Sequence, residues 1–291
     1  MRAPFSIFDR YLFALQYPVE FLIGSAKIPA HLVFEMLAYT LGYRLYVRQR
    51  ARSQDLISDE NRWWIFIGAA AGALLGSHLL GILENPQNLA HLNLLLWMGN
   101  KTIVGGLLGG LAGVEITKKI ISVSASSGDL MTYPLIAGLA MGRLGCHFAG
   151  LTDGTHGLPS SLPWAVDFGD GAPRHPVNLY EIVFLVALAG FIYWLESGKG
   201  PRLSKFLKLG KSAANPPAFH LADGARFKIF LIGYLIWRFF VEWLKPVYVF
   251  PFGLSTIQLA CMAGLFYYRK HLFHPFKLFQ PDNQQPITDN Q

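Results

Sequence analysis

The sequence predicts an all-α polytopic membrane protein with about seven transmembrane helices, its N-terminus outside and its C-terminus in the cytoplasm. Hydrophobic residues make up 52% of the 291 residues and charged residues only 15%. Soluble domains usually carry about 25% charged residues. Apolar segments recur along the whole chain, and basic residues gather in alternate connections between them, which is the pattern that orients membrane helices.

Seven apolar segments approach the roughly 20 residues that a helix needs to cross the hydrocarbon core. They are 28–47, 63–82, 92–116, 130–148, 177–195, 227–244 and 254–268. We expect 1–27 to form an N-terminal arm, for which an amphipathic helix on the membrane surface and a disordered arm are both open. No cleavable signal peptide is expected, because the first ten residues mix charges with aromatics. Residues 28–277 then form the membrane domain, and 278–291 a polar, disordered tail.

Lysine and arginine in short loops set the orientation of the helices. They cluster after the first, third, fifth and seventh segments, for example at Arg48, Lys118, Lys205 and Arg269. We expect those connections in the cytoplasm, so the formal net charge of +7 reflects topology rather than a nucleic-acid partner. The loop 150–176 is therefore expected on the outer side.

Charged residues mark the outer ends of three predicted helices. Arg143 lies near the end of the fourth, Glu181 near the start of the fifth, and Arg238 and Glu242 near the end of the sixth. An ionisable residue at membrane depth is costly and points to function. Arginine presents a planar fork that suits a phosphodiester, so one interpretation is an anion site in which Arg143, Arg238 and Arg174 hold a phosphate. The two glutamates would orient the arginines, and a self-contained Arg238–Glu242 ion pair is the alternative.

Further candidate residues flank these charges. Tyr234 lies on the same helical face as the charged pair of the sixth segment. Asn178 and Tyr180 open the fifth segment from the outer side. The third segment contains a glycine-rich run that begins at Gly105 and Gly106, and small residues let helices approach closely. Tight packing and a ligand-lining role are equally open for this run.

Histidine and cysteine supply the candidates for proton transfer and nucleophilic attack. Imidazole titrates near neutral pH, so His147, His156 and His175 are candidate acids or bases, with His175 the best placed. A turn or cap role for His175 is an equal alternative. Cys146 is a candidate nucleophile, although a small packing residue is favoured. With Cys261 it forms neither a disulfide framework nor a metal-ligand spacing.

The sequence resembles the prolipoprotein diacylglyceryl transferase family, whose members are seven-helix enzymes of the bacterial inner membrane. The resemblance extends from about Trp97 onward and rests on four segments in the family's order. They are Thr102-Ile103-Val104-Gly105-Gly106-Leu107-Leu108-Gly109, Gly142-Arg143-Leu144-Gly145, Arg174-His175-Pro176-Val177-Asn178-Leu179-Tyr180-Glu181, and 233–242 from Gly233-Tyr234 to Val241-Glu242. Each segment is weak alone, and together they are fairly specific.

The resemblance implies a transferase that moves the diacylglyceryl group of phosphatidylglycerol to the lipobox cysteine thiol of a secreted prolipoprotein and releases glycerol phosphate. By resemblance, Arg143 and Arg238 would hold the phosphate. The implied supporting and substrate-site residues are Tyr180, Glu181, Tyr234, Glu242, Gly105, Gly106, Gly142 and Gly145. No metal and no organic cofactor is implied. The implied partners are phosphatidylglycerol, the prolipoprotein and membrane lipids, without nucleic acid.

The chain departs from the family pattern at several polar positions. Val104 stands where the family commonly has a histidine before its Gly-Gly pair. Cys146 and His147 stand where it commonly has Asn-Phe, Leu151 where it has a glutamate, and Asn178 where it has a glutamine. The shared residues are thus those expected to face the phosphate, and the changed ones lie near the acceptor or the base.

Two interpretations follow from these departures. In the first, the chain modifies prolipoproteins, with His147 or His175 as the base. In the second, it is a paralogue that keeps the phospholipid donor site and serves another acceptor. A catalytically inactive lipid-binding protein is a further alternative. A transporter is disfavoured, because the charges are predicted at one interface, whereas transport sites lie near the bilayer midplane.

Overall fold

The computed structural model describes residues 16–53, 55–86, 97, 99–197 and 219–281. Within these ranges the chain forms eight α-helices, and each of the seven predicted segments contains one. The third predicted segment began at 92, whereas its helix begins at Ile103, where Thr102 caps it. The helices are α1 (Ala30–Arg50), α2 (Asp59–Leu83), α3 (Ile103–Ile120), α4 (Asp129–Ala149), α5 (Val177–Glu196), α6 (Ala225–Val241), α7 (Thr256–Tyr267) and α8 (Arg269–Phe273). The aromatic residues of the predicted arm, at positions 5 to 13, lie outside the described residues, as do 282–291 of the predicted tail.

Two short antiparallel strand pairs accompany the helices and depart from a purely α-helical prediction. Strand β1 (Glu20–Ile23) pairs with β2 (Ala26–Pro29) directly before α1. Gly24 adopts a φ of 63° in the turn between them, a conformation that glycine adopts without steric cost. Strand β3 (Phe219–Leu221) pairs with β4 (Phe279–Pro281), so β4 lies at the start of the segment predicted as a tail.

Among the residues that the structure describes, three helices are long and apolar enough to cross a membrane. They are α2, α4 with the 3₁₀ turn that follows it, and α5. The other four long helices are shorter or less apolar. Large apolar side chains stand exposed on these helices, including Leu74 and Leu75 on α2 and Val183 and Val186 on α5, each more than half exposed. Exposed apolar faces of this extent require an apolar environment, and the chain is a helical membrane protein.

Polar side chains define where several helices begin. Ser58 accepts a hydrogen bond from Asn61 N before α2, and Thr102 accepts one from Gly105 N before α3, which satisfies backbone donors that a helix leaves unpaired. Asp129 accepts bonds from Gly224 N and Phe227 N at the start of α6. Pro176 immediately precedes α5, where its fixed φ is compatible with the first helical turn.

The chain divides into two compact units. The first comprises Met1–Ser53, Tyr133–Val186 and Trp237–Ser255, and the second comprises Gln54–Thr132, Ala187–Ile236 and Thr256–Gln291. In the first unit, Val19 N donates to Phe148 O at 2.9 Å, which ties the β1–β2 hairpin to the end of α4. In the same unit α4 lies close to α1, because a Cβ at Gly145 would stand 3.2 Å from the His31 carbonyl oxygen.

In the second unit, α2 and α3 pack through glycines spaced four residues apart on each helix. These residues, which we call the glycine seam, are Gly68, Gly72 and Gly76 of α2 and Gly105, Gly109 and Gly113 of α3. A Cβ at Gly109 would lie 2.3 Å from Gly72 O, and one at Gly105 would lie 2.2 Å from Gly76 O. The helix backbones are therefore in direct contact, a packing mode typical of membrane helices.

Candidate active site

Four charged side chains meet in the interior of the first unit. Arg143 comes from α4, Glu181 from α5, Arg238 from α6, and Glu242 from the 3₁₀ turn that continues α6. Each is between 1% and 5% exposed. We call these four residues the charge network. The side chains that the sequence places at the ends of three helices are thus gathered at one buried point.

Glu181 bridges the two arginines of the charge network. Its Oε1 lies 2.9 Å from Nε of Arg143, and its Oε2 lies 3.5 Å from Nη1 of Arg238. Arg238 also contacts Glu242, with Nη2 at 2.9 Å from Oε2. The Arg238–Glu242 pair expected from the sequence is formed, and it is one part of a larger assembly that includes Arg143.

The network carries two positive and two negative formal charges, so it is balanced within the protein. Buried charges are tolerated when they are paired and hydrogen-bonded, and removing one partner of a buried pair costs about 3–5 kcal/mol. An arginine has several N–H donors arranged to meet the oxygens of a carboxylate or a phosphate. Two arginines held around one carboxylate therefore form a site that fits an oxyanion.

Arg174 lies elsewhere, in an ordered part of the loop that precedes α5. Its Nη1 and Nη2 each donate to an oxygen of Asp170 at 2.6 Å, and Nη1 also donates to the Ala172 carbonyl at 2.7 Å. The hydrogen bonds from Arg174 hold the pKa of the exposed Asp170 carboxyl at about 2. Within the described residues, Arg174 is thus paired to its own loop rather than to the charge network.

His175 and Tyr180 form a second polar group at the start of α5. Trp164 Nε1 donates to the Tyr180 hydroxyl at 2.7 Å, and that hydroxyl lies 3.3 Å from Nδ1 of His175. The backbone of the loop holds the histidine, since His175 N donates to Leu158 O at 3.0 Å. A Cβ at Gly157 would stand 2.5 Å from His175 O, so this turn fits only glycine there.

The other two candidate histidines have different surroundings. His147 is 5% exposed, and its Nε2 lies 3.3 Å from the Tyr17 hydroxyl. The rings of Tyr17, Phe148 and Phe168 stand edge-on to its imidazole. His156 lies in the loop, where burial, and then the nearby Arg174, lower its pKa. His156 is therefore held neutral, and His147 is enclosed by aromatic rings.

Asn178 begins a short chain of hydrogen bonds toward the end of α4. Its Nδ2 donates to Oγ1 of Thr155 at 3.1 Å, and that hydroxyl donates to Oδ2 of Asp153 at 2.7 Å. Asp153 ends the 3₁₀ turn Gly150–Asp153 that follows α4. Asn178 is thus tied to Asp153 through Thr155, while Glu181, one turn further along α5, enters the charge network.

The remaining predicted site residues are distributed over both units. Tyr234 is fully buried in the second unit, with Phe230 as a ring neighbour. Gly105 belongs to the glycine seam of that unit, and the neighbouring Gly106 makes only ordinary contacts. In the first unit, Gly145 abuts α1, while nothing lies within 4 Å of a Cβ placed at Gly142.

Several polar side chains at the site were not singled out from the sequence. Tyr17, Asp153, Thr155, Trp164 and Asp170 each bond to a predicted site residue or to a residue bonded to one. Asp170 precedes Arg174 by four residues, but this spacing has meaning only within a helix, and the pair lies in a loop. The other contacts join distant segments, so local spacing carries no signal for them.

Comparison with known proteins identifies the family. A family model described as prolipoprotein diacylglyceryl transferase matches residues 18–268, which is most of the chain. The chain belongs to this family. All four residues of the charge network fall within the matched range, as does Val104, which is 1% exposed at a position where the resemblance leads us to expect a histidine.

Three similar curated proteins are each named phosphatidylglycerol--prolipoprotein diacylglyceryl transferase. The protein from Polynucleobacter necessarius is 30% identical over 69% of this chain and 71% of its own length. The protein from Bordetella bronchiseptica is 30% identical over 79% of this chain and 84% of its own. The protein from Actinobacillus pleuropneumoniae serotype 3 is 25% identical, with 79% and 81% covered.

Proposed function

We propose that this chain transfers the diacylglyceryl group of phosphatidylglycerol to the lipobox cysteine thiol of a prolipoprotein, at the outer leaflet of the bacterial inner membrane. The charge network is the observation that carries the proposal, because it places two buried arginines around one carboxylate. Membership of the family and the shared name of the relatives support the same donor and acceptor.

The chemistry makes a specific demand on the site. The thiolate sulfur forms a bond to the glyceryl carbon, and the bond from that carbon to the phosphate oxygen breaks. The electron pair of the broken bond leaves with glycerol phosphate, so negative charge grows on the phosphate during the reaction. Donors preorganised toward a developing charge contribute strongly to catalysis. Arg143 and Arg238 are the residues of this chain suited to that task.

The carboxylates have a supporting role in this scheme. Glu181 and Glu242 hold the two guanidinium groups in place before the lipid arrives, and side chains fixed in advance lose little freedom on binding. His147 and His175 are the candidates for accepting the thiol proton. Each lies near a tyrosine hydroxyl, His175 near that of Tyr180 and His147 near that of Tyr17.

The membrane arrangement is also part of the proposal. Seven helices would cross the inner membrane, with the N-terminus and the 150–176 loop outside and the C-terminus in the cytoplasm. Basic residues in the last turns of α1 and α3 agree with this orientation, since Arg48, Arg50, Lys118 and Lys119 all lie there. Labelling of single cysteines placed in the loop and after α1 by an impermeant maleimide tests it. If intact cells are labelled at the cysteine after α1 and not at the one in the loop, the orientation is opposite to the one proposed.

The donor role of the arginines is tested with a matched pair of conservative variants. Arg143→Lys keeps a positive charge but loses the planar fork, and we expect a loss of turnover of about 100-fold. Arg62→Lys is the control, because Arg62 is equally buried at 2% exposed and paired with Asp55, yet lies in the second unit. The assay follows glycerol phosphate release from phosphatidylglycerol with a lipobox peptide, using purified, detergent-solubilised protein. Equal turnover by the two variants would show that Arg143 does not stabilise the phosphate.

Complementation tests the whole assignment. The chain, expressed in a strain depleted of its own transferase, should restore thioether-linked lipoprotein, detected by mass spectrometry of the modified N-terminal peptide. Restoration by Arg62→Lys and not by Arg143→Lys would link the cellular function to the charge network. If correctly inserted wild-type protein never yields the thioether, prolipoprotein is not the acceptor.

A different acceptor is the second candidate. The buried Val104, at a position where the family commonly has a base, is the observation that favours it. Incubation with phosphatidylglycerol and a panel of thiol and hydroxyl acceptors separates the candidates, because a paralogue would release glycerol phosphate only with an acceptor other than the peptide. Bound phosphatidylglycerol without turnover on any acceptor would indicate a lipid-binding protein.

A further inference from the structure

Beside the charge network, the first unit brings together three side chains with the donor atoms that transition metals prefer. They are His31 of α1, Cys146 of α4 and Asp153 of the 3₁₀ turn after α4. Their ligand atoms all lie within 4.8 Å of one another. In the part of the chain that the structure describes, no other His, Cys, Asp or Glu side chains form such a group.

The close packing of α1 on α4 creates this cluster. Gly145 is the residue before Cys146, and a Cβ at that position would lie 3.4 Å from the His31 Cα and 3.1 Å from the Phe34 Cβ. A larger side chain at 145 would push the two helices apart. Glycine at this position therefore lets His31 approach Cys146, which gives Gly145 a role beyond the family motif.

The state of the donor atoms points to a missing ligand. Nδ1 of His31 is buried and has no hydrogen-bond partner among the described residues, which is unfavourable for a polar atom. The Cys146 sulfur lies within 4.8 Å of a carboxylate oxygen of Asp153. Oδ2 of Asp153 accepts from Thr155, which in turn accepts from Asn178. Metal-binding carboxylates are commonly held by such outer hydrogen bonds.

A cleft opens onto two of these residues. It encloses about 250 Å³ and is lined by two of the three ligands, His31 and Asp153, by Glu20 and Thr152, and by the apolar residues Pro18, Val19, Pro29 and Ala149. This cleft gives an ion an entry path and leaves room for a further ligand. We propose that His31, Cys146 and Asp153 bind one Zn²⁺ ion whose fourth position faces the cleft.

The donor set selects the metal. A thiolate, an imidazole and one carboxylate are ligands of zinc, whereas magnesium and calcium prefer oxygen ligands alone. Ligand atoms around tetrahedral zinc lie about 3.5 Å apart, given bond lengths of about 2.0–2.3 Å. Small side-chain rotations bring three atoms within 4.8 Å to that spacing. Three protein ligands with one open position is the arrangement of catalytic rather than structural zinc sites.

An ion here acquires a role if the proposed transfer reaction is correct, and this role rests on that proposal. A thiol that binds zinc loses its proton, so the acceptor cysteine would enter the fourth position as a thiolate. The released proton passes to solvent in the cleft, and the thiolate then attacks the glyceryl carbon as described above. The zinc ion would supply the activation for which Val104 offers no base.

Metal binding is tested on the full-length protein in detergent, without reference to activity. After removal of metal with a chelator, wild-type protein should bind one equivalent of Zn²⁺ by elemental analysis. With Co²⁺ it should show a thiolate-to-cobalt charge-transfer band in the near ultraviolet. Cys146→Ser should abolish the band, and His31→Gln and Asp153→Asn should each weaken Zn²⁺ binding at least 10-fold. Cys261→Ser changes the other cysteine, in the second unit, and should leave both readouts unchanged.

Two results would overturn the proposed metal site. A wild-type protein that binds no Co²⁺, or a Cys146→Ser variant that keeps the band, overturns the site. Thr155→Val leaves all three ligands in place and should weaken Zn²⁺ binding by about 10-fold through loss of the bond to Asp153, which guards against misfolding of the ligand variants. The transfer assay then separates the two proposals. A cobalt band without transfer to any acceptor would contradict the proposed function and support the metal site. Equal transfer by metal-free and Zn²⁺-loaded protein would show that the ion has no catalytic role.

Discussion

The charge network of the first unit and the glycine seam of the second are both buried helix contacts, but they are held together by opposite means. Arg143, Glu181 and Arg238 meet through long charged side chains that compensate one another. Gly72 and Gly109 meet through bare backbone, with no side chain between the helices. The seam tolerates no added atom, whereas the network tolerates no lost charge.

This difference indicates that the glycine seam has a structural role and the charge network a functional one. A glycine contact gains its stability from close packing and contributes no charged side chain. A buried charge network costs desolvation and is weak evidence for stability, so its presence points to function. Substitutions that remove a charge from the network should therefore lower both activity and stability, while substitutions that add volume to the seam should lower stability without removing a group of the site.

The largest expected effect comes from Glu181→Gln. The substitution keeps the size of the side chain but removes the negative charge that both arginines share. We expect the free energy of unfolding to fall by about 3–5 kcal/mol, because a buried positive charge loses its partner. We also expect loss of glycerol phosphate release. Thermal unfolding in detergent and the release assay measure the two effects. Glu115→Gln is the control, since that side chain is 43% exposed; an equal effect of both variants would contradict the role of the network.

The next effect sharpens the description of the glycine seam. Gly109→Ala places a Cβ 2.3 Å from Gly72 O, whereas Gly110→Ala places one no closer than 3.5 Å from any neighbour. We expect Gly109→Ala to lower stability by about 1–3 kcal/mol through overpacking. Gly110→Ala should raise it by about 0.5–1 kcal/mol, because alanine is the better helix former. Unfolding by a denaturing detergent compares them, and identical stability of the two variants would show that the helices do not touch at Gly109.

The smallest effect concerns the exposed ion pair of the loop. The pKa of Asp170 is lowered to about 2, compared with about 3.9 for an unfolded chain. The charged carboxylate thus stabilises the folded loop above pH ~4, and this contribution is lost as the pH falls through ~2. Amide exchange of 170–174, corrected for its intrinsic pH dependence, should stay slow down to pH ~3 in wild type. Asp170→Asn should exchange faster at pH 5 and match wild type near pH 1, and a wild-type loop that opens between pH 5 and 4 would contradict the Arg174 contact.

The sequence was sufficient to place the long helices approximately and to single out four charged residues that the structure brings together. Apolar segments of the right length predict all seven long helices, because burial of apolar surface and backbone hydrogen bonding in lipid leave a helix little choice. Arg143, Glu181, Arg238 and Glu242 stood out because charge is rare in such segments. A charged residue within an apolar segment can be recognised from its neighbours in the sequence alone.

The features that the sequence did not predict depend on contacts between segments far apart in the chain. The approach of His31 to Cys146 follows from the packing of α1 on α4 at Gly145, and no spacing along the chain indicates it. Arg174 was expected to join the other arginines, but its loop folds back so that Asp170 takes both of its terminal nitrogens. The β1–β2 hairpin escaped prediction because its four-residue strands are too short to show a clear alternation.

The position of Glu181 bears on how a lipid would enter. In the structure its carboxylate already occupies the space between Arg143 and Arg238, so the free protein carries its own anion as a placeholder. If the two arginines bind the lipid phosphate, arrival of a phosphodiester would exchange one anion for another, rather than fill an empty positive pocket. If the proposed transfer is correct, such an exchange would keep the arginines paired between turnovers, and the return of the carboxylate would help to displace the departing phosphate.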